Sequence, residues 1–193
     1  MRIFICLLAT LVFAPRHLVA HDLFILANAG QSSYGSLYLG ILPGGGADRE
    51  WRSGPIVGAG IRVRKSESFA VDALLAYSTH RPRNGQWENL LPSNPRNTLL
   101  DLTVLGRSSL RIVGPVHCAF LYGLGLSYQH KDGLGLAEPG GIVPASNALT
   151  GVVHLGAGLD FRAPSSVEFS IEGSLLCRQY ITPIIVFGMA YLL

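Results

Sequence analysis

Charge is scarce in this sequence and nearly balanced. Asp, Glu, Lys and Arg make up 14% of its 193 residues, and with Met1 to Ala20 set aside 13 basic residues face 12 acidic ones. No basic stripe remains to mark a nucleic-acid binder. Long apolar runs are missing too: past the N-terminus no stretch supplies the ~18 consecutive apolar residues of a membrane helix. No second spaced His or Cys accompanies His154 to make a metal site, and no cofactor is expected. The 23 glycines disfavour long helices.

What the chain does have is alternation. From Gly151 to Arg162 the odd positions Val153, Leu155, Ala157, Leu159 and Phe161 are apolar, while the even ones include His154, Gly156, Gly158, Asp160 and Arg162. After Ala163-Pro164-Ser165-Ser166 the pattern resumes, with Val167, Phe169, Ile171 and Leu175 opposite Glu168, Ser170, Glu172, Ser174 and Arg178. A period of two over such lengths predicts a long β-hairpin. Strands of ~9 to 11 residues are long enough to cross a bilayer at a tilt, and most of the chain repeats this pattern.

Taken in order, Met1 to Ala20 opens on Arg2, continues through an apolar run from Ile3 to Ala14, and reads as a secretory signal peptide. Residues 21–33 read as a lead-in, and the barrel is expected over 34–193. The expected strands are 34–42, 51–64, 68–78, 98–107, 116–130, the hairpin pair and 184–193. Long connections at 43–50, 80–97 and 131–148, rich in Gly, Pro and Asn, separate shorter turns such as 65–67 and 108–115. The link at 179–183 is short and breaks that trend. The prediction is an all-β fold, an eight-stranded antiparallel up-and-down transmembrane barrel with short turns at one end and long loops at the other.

Alternation leaves open which face points inward, since a soluble barrel would hide its apolar side. Two features set the direction. Gly58, Gly60, Gly123, Gly125, Gly156, Gly158 and Gly188 share the polar face, and a narrow barrel has room only for small residues inside. The aromatics share the apolar face, with Tyr77 and Tyr128 at the long-loop rim and Phe69, Phe161, Phe169 and Tyr191 at the short-turn rim. Two such girdles suit the headgroup levels of a membrane. The interior then receives Arg62, Arg64, Asp72, Asp101, Arg107, His154, Asp160, Arg162, Glu168, Glu172 and Arg178. Buried charges are costly unless paired, so an internal ion-pair network that plugs the lumen is expected, with Arg162 and Glu168 meeting across one turn. Cys118 and Cys177 fall near opposite ends of non-neighbouring strands and are expected to stay free thiols.

The final residues, Gly188-Met189-Ala190-Tyr191-Leu192-Leu193, resemble the C-terminal assembly signal of bacterial outer-membrane proteins. With the signal peptide and eight strands, the chain resembles the OmpA/OmpX-type small outer-membrane barrels. That resemblance implies an outer-membrane location, insertion by the barrel assembly machinery and contact with lipopolysaccharide, without implying one activity. A lipid A deacylase-like barrel would carry a His-x-Ser pair with a downstream acid. Here Ser78-Thr79-His80 runs in reverse, and His130 is followed by Lys131-Asp132, so no catalytic residue is assigned. The expected role is structural or surface-interacting, with Arg81, Arg83, Trp87, Arg96 and Lys131 as loop residues open to a partner. A lipid A-modifying enzyme is the alternative, and a small channel comes third.

Overall fold

The structure, a computed structural model, describes residues 22–32, 53–81, 96–135, 142–143, 145–163, 166–178 and 181–193. Eight long strands form a closed barrel: β1 (Asp22–Ser32), β2 (Gly54–Ser66), β3 (Phe69–His80), β4 (Asn97–Val113), β5 (Val116–Lys131), β8 (Ser146–Arg162), β9 (Val167–Cys177) and β10 (Ile181–Leu192). Two-residue strands β6 (Leu134–Gly135) and β7 (Ile142–Val143) pair with each other beyond the β5–β8 hairpin. Every barrel neighbour is antiparallel, and β1 closes the cylinder against β10.

The stagger of the ladder fixes the barrel's shape. Cross-strand partners lead from Leu126 through Leu102, Leu75, Ala59, Ala27, Met189, Phe169 and Phe161 back to the same strand at Val116. One circuit therefore shifts the register by 126 − 116 = 10 residues. With about 3.4 Å per residue and about 4.8 Å between strands, that shift over eight strands tilts them by roughly 40°. Eleven residues, the length of β1, then rise about 28 Å, close to the thickness of a bilayer's apolar core.

Several boundaries differ from the sequence reading, each for a physical reason. Within the lead-in expected at 21–33, Asp22–Ser32 is instead the first barrel strand. Its inward row holds Phe24 and Leu26 and its outward row Ile25 and Ala27, so both faces are apolar and the period of two is invisible. The strand expected at 34–42 lies outside the described residues, as do the signal peptide and most of the long connections. The turn expected at 108–115 is a strand almost to its end, because β4 runs to Val113 and pairs through Leu110↔Cys118 and Arg111↔His117. The chain reverses over Gly114 and Pro115 alone, and Gly114 takes φ +54°, a conformation that glycine adopts without strain. Part of the loop expected at 131–148 is likewise strand, since β8 begins at Ser146.

Glycines on the inward row let neighbouring chains approach. A Cβ on Gly125 would sit 2.1 Å from the Leu102 carbonyl oxygen, whereas one on outward-facing Gly151 would meet nothing within 4 Å. Gly125→Ala is therefore expected to cost about 1–3 kcal/mol through overpacking, and Gly151→Ala to stay within about 0.5 kcal/mol of wild type. Urea midpoints of folded, vesicle-inserted protein check this; equal costs would contradict it.

Candidate functional site

The described surface between the rims is apolar: Leu124, Leu155, Ile171, Ile185 and Phe187 point outward and are exposed. Tyr77 and Tyr128 lie at the long-loop end of that wall, each beside the same strand through Tyr77↔Leu100 and Leu100↔Tyr128. Phe161 and Phe169 are direct partners at the other end, and Tyr191 is two residues below Met189, the next partner along. These five are exposed, while Phe69 is half-buried. Phe120, Tyr122 and Phe187 add exposed aromatics between the girdles. Tyr122 lies over Gly106, the outward glycine opposite it, where an added Cβ would meet its ring at 2.7 Å. Cys118 and Cys177 are free thiols.

The interior gathers the charged residues that the alternation assigned to it. Arg107, with no exposed surface, is the hub: it binds Asp160 through two nitrogens, donates to Glu172 at 2.8 Å and lies 3.6 Å from Asp72. Arg62 forks onto both oxygens of Asp72 at 2.8 and 2.9 Å and reaches Glu168 at 3.4 Å. Arg64 pairs with Glu168 and stacks over the Phe24 ring at 4.5 Å. Arg162 sits 4.0 Å from Glu168, its direct cross-strand partner, and 3.5 Å from Asp160. Four arginines and four acids are thus interlocked in the half of the lumen nearer the short turns. Mutual neutralisation with bidentate geometry is what makes buried charge tolerable.

A second, smaller group lies nearer the long loops. Arg178 binds Asp101, Ser127 at 3.0 Å and Thr182 at 3.0 Å. Apolar side chains fill the lumen around both groups, with Phe24, Leu26, Leu74, Leu105 and Leu121 in one cluster and Ile56, Val152, Leu176, Ile184 and Val186 in another. The interior is therefore mixed rather than wholly polar. Sequence reading missed these layers because an inward leucine on a strand with outward leucines leaves no alternation to see. Between the groups a cavity of about 30 Å³ is lined by Asn28, Asp101, Thr103, His154 and Glu172. His154 is 5% exposed and neither ring nitrogen has a described partner. At the short-turn mouth, Asp22, Arg64, Lys65, Glu67, Arg111 and Arg162 surround an open recess of about 680 Å³.

The structure also joins residues that the sequence reading kept apart. His80 Nε2 lies 3.1 Å from Ser32 Oγ and 3.3 Å from Ser78 Oγ, all three sealed inside the upper lumen. Ser78 and His80 continue the even-numbered inward row of Asp72, Leu74 and Ala76, a signal that could have placed them inside. Among the described residues, no group of three or more His, Cys, Asp or Glu is arranged to hold a metal.

No protein-family model matches the sequence, and a search of curated proteins finds no relative. Solved structures do match. Neisserial surface protein A is 13% identical with a TM-score of 0.55, the match covering 88% of this chain and 96% of that one. Ail, the attachment invasion locus protein of Yersinia pestis, is 13% identical with a TM-score of 0.53, covering 91% of this chain and all of its own. The fold is that of the small eight-stranded outer-membrane β-barrels.

Arg107→Met takes from Glu172 its described cation and from Asp160 its two-nitrogen partner, and is expected to destabilise the barrel by about 3–5 kcal/mol, while Arg111→Met at the exposed mouth should cost under about 0.5 kcal/mol. Equilibrium unfolding in detergent or vesicles measures both; a neutral Arg107→Met would show that the pairs are not coupled to folding.

Proposed function

We propose that the chain is an integral barrel of the bacterial outer membrane with a structural or surface-interaction role, its lumen plugged rather than conducting. The observation that carries this reading is the sorting of side chains: outward apolar rows between aromatic rims, and arginine–carboxylate pairs within. Such a surface suits acyl chains and not water. A lumen crossed by interlocked side chains leaves no wide aqueous path, which separates it from a porin. β1 starts and β10 ends on the short-turn side, so the connections at the other end, within 43–50, 80–97 and 131–148, are the segments offered to a surface partner, apart from buried His80 and Asn97 and the strand residues 131 and 146–148. Insertion would depend on the barrel assembly machinery, and lipopolysaccharide would be the neighbouring outer-leaflet lipid.

A lipid A-modifying enzyme is a second reading, favoured by the Ser32, Ser78 and His80 contacts. Those side chains point into the lumen and are almost fully buried, so a lipid in the surrounding leaflet cannot reach them.

Two measurements test the proposal. Planar bilayers containing the purified, heat-modifiable protein are expected to stay silent, and a large, stable conductance would contradict the plug. Lipid A mass profiles of cells with and without the protein are expected to coincide, and a changed acyl count would replace the structural role with an enzymatic one.

A further inference from the structure

We infer that the outer wall of the barrel carries a binding site for a phosphate-bearing lipid headgroup, built from Arg96, Thr98, His130 and Asn147 at the long-loop rim. The inference rests on the reading of the chain as an outer-membrane barrel and names a lipid contact within it.

Along β5 the outward row runs Leu124, Leu126, Tyr128, all exposed, and then turns polar at His130. Two residues past Tyr128 lie about 5 Å closer to solvent along the axis, where acyl chains give way to headgroups. There His130 is flanked by its cross-strand partners Thr98 and Asn147. The group is organised rather than loosely solvated. Asn147 Oδ1 accepts from the Tyr128 hydroxyl at 3.1 Å and lies 2.6 Å from His130 Nδ1. His130 Nε2 lies 3.2 Å from Asp132 Oδ1. The other Asp132 oxygen accepts from the Arg96 backbone N–H at 2.8 Å, and the Arg96 carbonyl accepts from the Asp132 N–H at 3.0 Å.

Both imidazole nitrogens of His130 are thus engaged by Asn147 and Asp132, which fixes the ring in place. The Asp132 carboxylate is turned onto His130 and Arg96, where it orients the donors instead of confronting a ligand. No described contact engages the Arg96 guanidinium or the Asn147 NH2. The rim therefore presents a planar guanidinium, an amide and a hydroxyl, which is the donor chemistry of phosphate recognition, above an apolar wall that takes the lipid's chains.

The test uses the full barrel in phosphatidylcholine nanodiscs with and without lipid A, reading the thermal unfolding midpoint and checking insertion by heat-modifiable migration. Lipid A is expected to raise the midpoint of wild type and of Arg111→Ala, whose side chain lies at the opposite rim. The rise should be at least about twofold smaller for the Arg96→Ala/His130→Ala double variant, because a ligand stabilises only through the sites that bind it. Equal rises in wild type and the double variant would overturn the site while leaving the barrel reading intact. Inorganic phosphate alone is expected to leave the midpoint unchanged; a shift matching that of lipid A would make the ligand a soluble phosphate and overturn the lipid assignment. Protein that never becomes heat-modifiable in any disc would overturn the barrel reading and the site together.

Discussion

Everything in this molecule depends on the ladder between its first and last strands. In hydrocarbon an unpaired backbone N–H or C=O has no water to turn to, so a sheet can exist there only without edges. Nine residue pairs from Phe24↔Leu192 to Ser32↔Ile184 join β1 to β10 and remove both edges at once. The ten-residue stagger that this closure imposes sets the tilt, and eight strands at that tilt enclose a cylinder of roughly 8 Å backbone radius. Strand length, interior volume and rim height all follow from it.

A cylinder that narrow must be filled, and its filling decides what the barrel can do. Glycines on the inward rows thin the wall where side chains cross: the Asn28 carboxamide lies against Gly58 and the Ser174 hydroxyl against Gly156. Into the space so made project Arg62, Arg64, Arg107 and Arg162 with Asp72, Asp160, Glu168 and Glu172. Arginine suits this role because its fork can hold two or three carboxylates in fixed directions, as Arg107 does with Asp160, Glu172 and Asp72. Removing one member leaves uncompensated charge in a place water enters poorly, so the pairs stand or fall together. The apolar clusters built on Phe24 and Ile56 pack around these pairs and leave His154 beside a small, mostly apolar cavity.

How much of this could be read from residues alone depended on contrast between faces. β8 and β9, whose faces are apolar and charged, were legible residue by residue, and so was the Arg162–Glu168 encounter across their turn. The inward direction of the glycines and the charged residues was legible for the same reason. β1 was not, because Phe24 and Leu26 inside face the same way in hydropathy as Ile25 and Ala27 outside. The end of β4 was hidden by Ser108, Ser109 and Arg111, polar residues that resemble a turn in composition while keeping their ladder partners on β5. Partner choice within the lumen lay beyond reach. Whether Arg107 meets Asp160 or Asp101 depends on the stagger around the whole barrel, which no local pattern encodes.

The central claim is that odd and even positions on each strand meet different media. It is tested most directly by single cysteines placed in turn from Ile184 to Ala190 on β10, in a protein whose Cys118 and Cys177 are replaced by serine. Each cysteine carries a spin label in reconstituted vesicles, and collision with a lipid-dissolved relaxant is measured. Collision rates should alternate, high at Ile185, Phe187 and Met189 and low at Ile184, Val186, Gly188 and Ala190. A flat profile, or one with the opposite phase, would contradict the account.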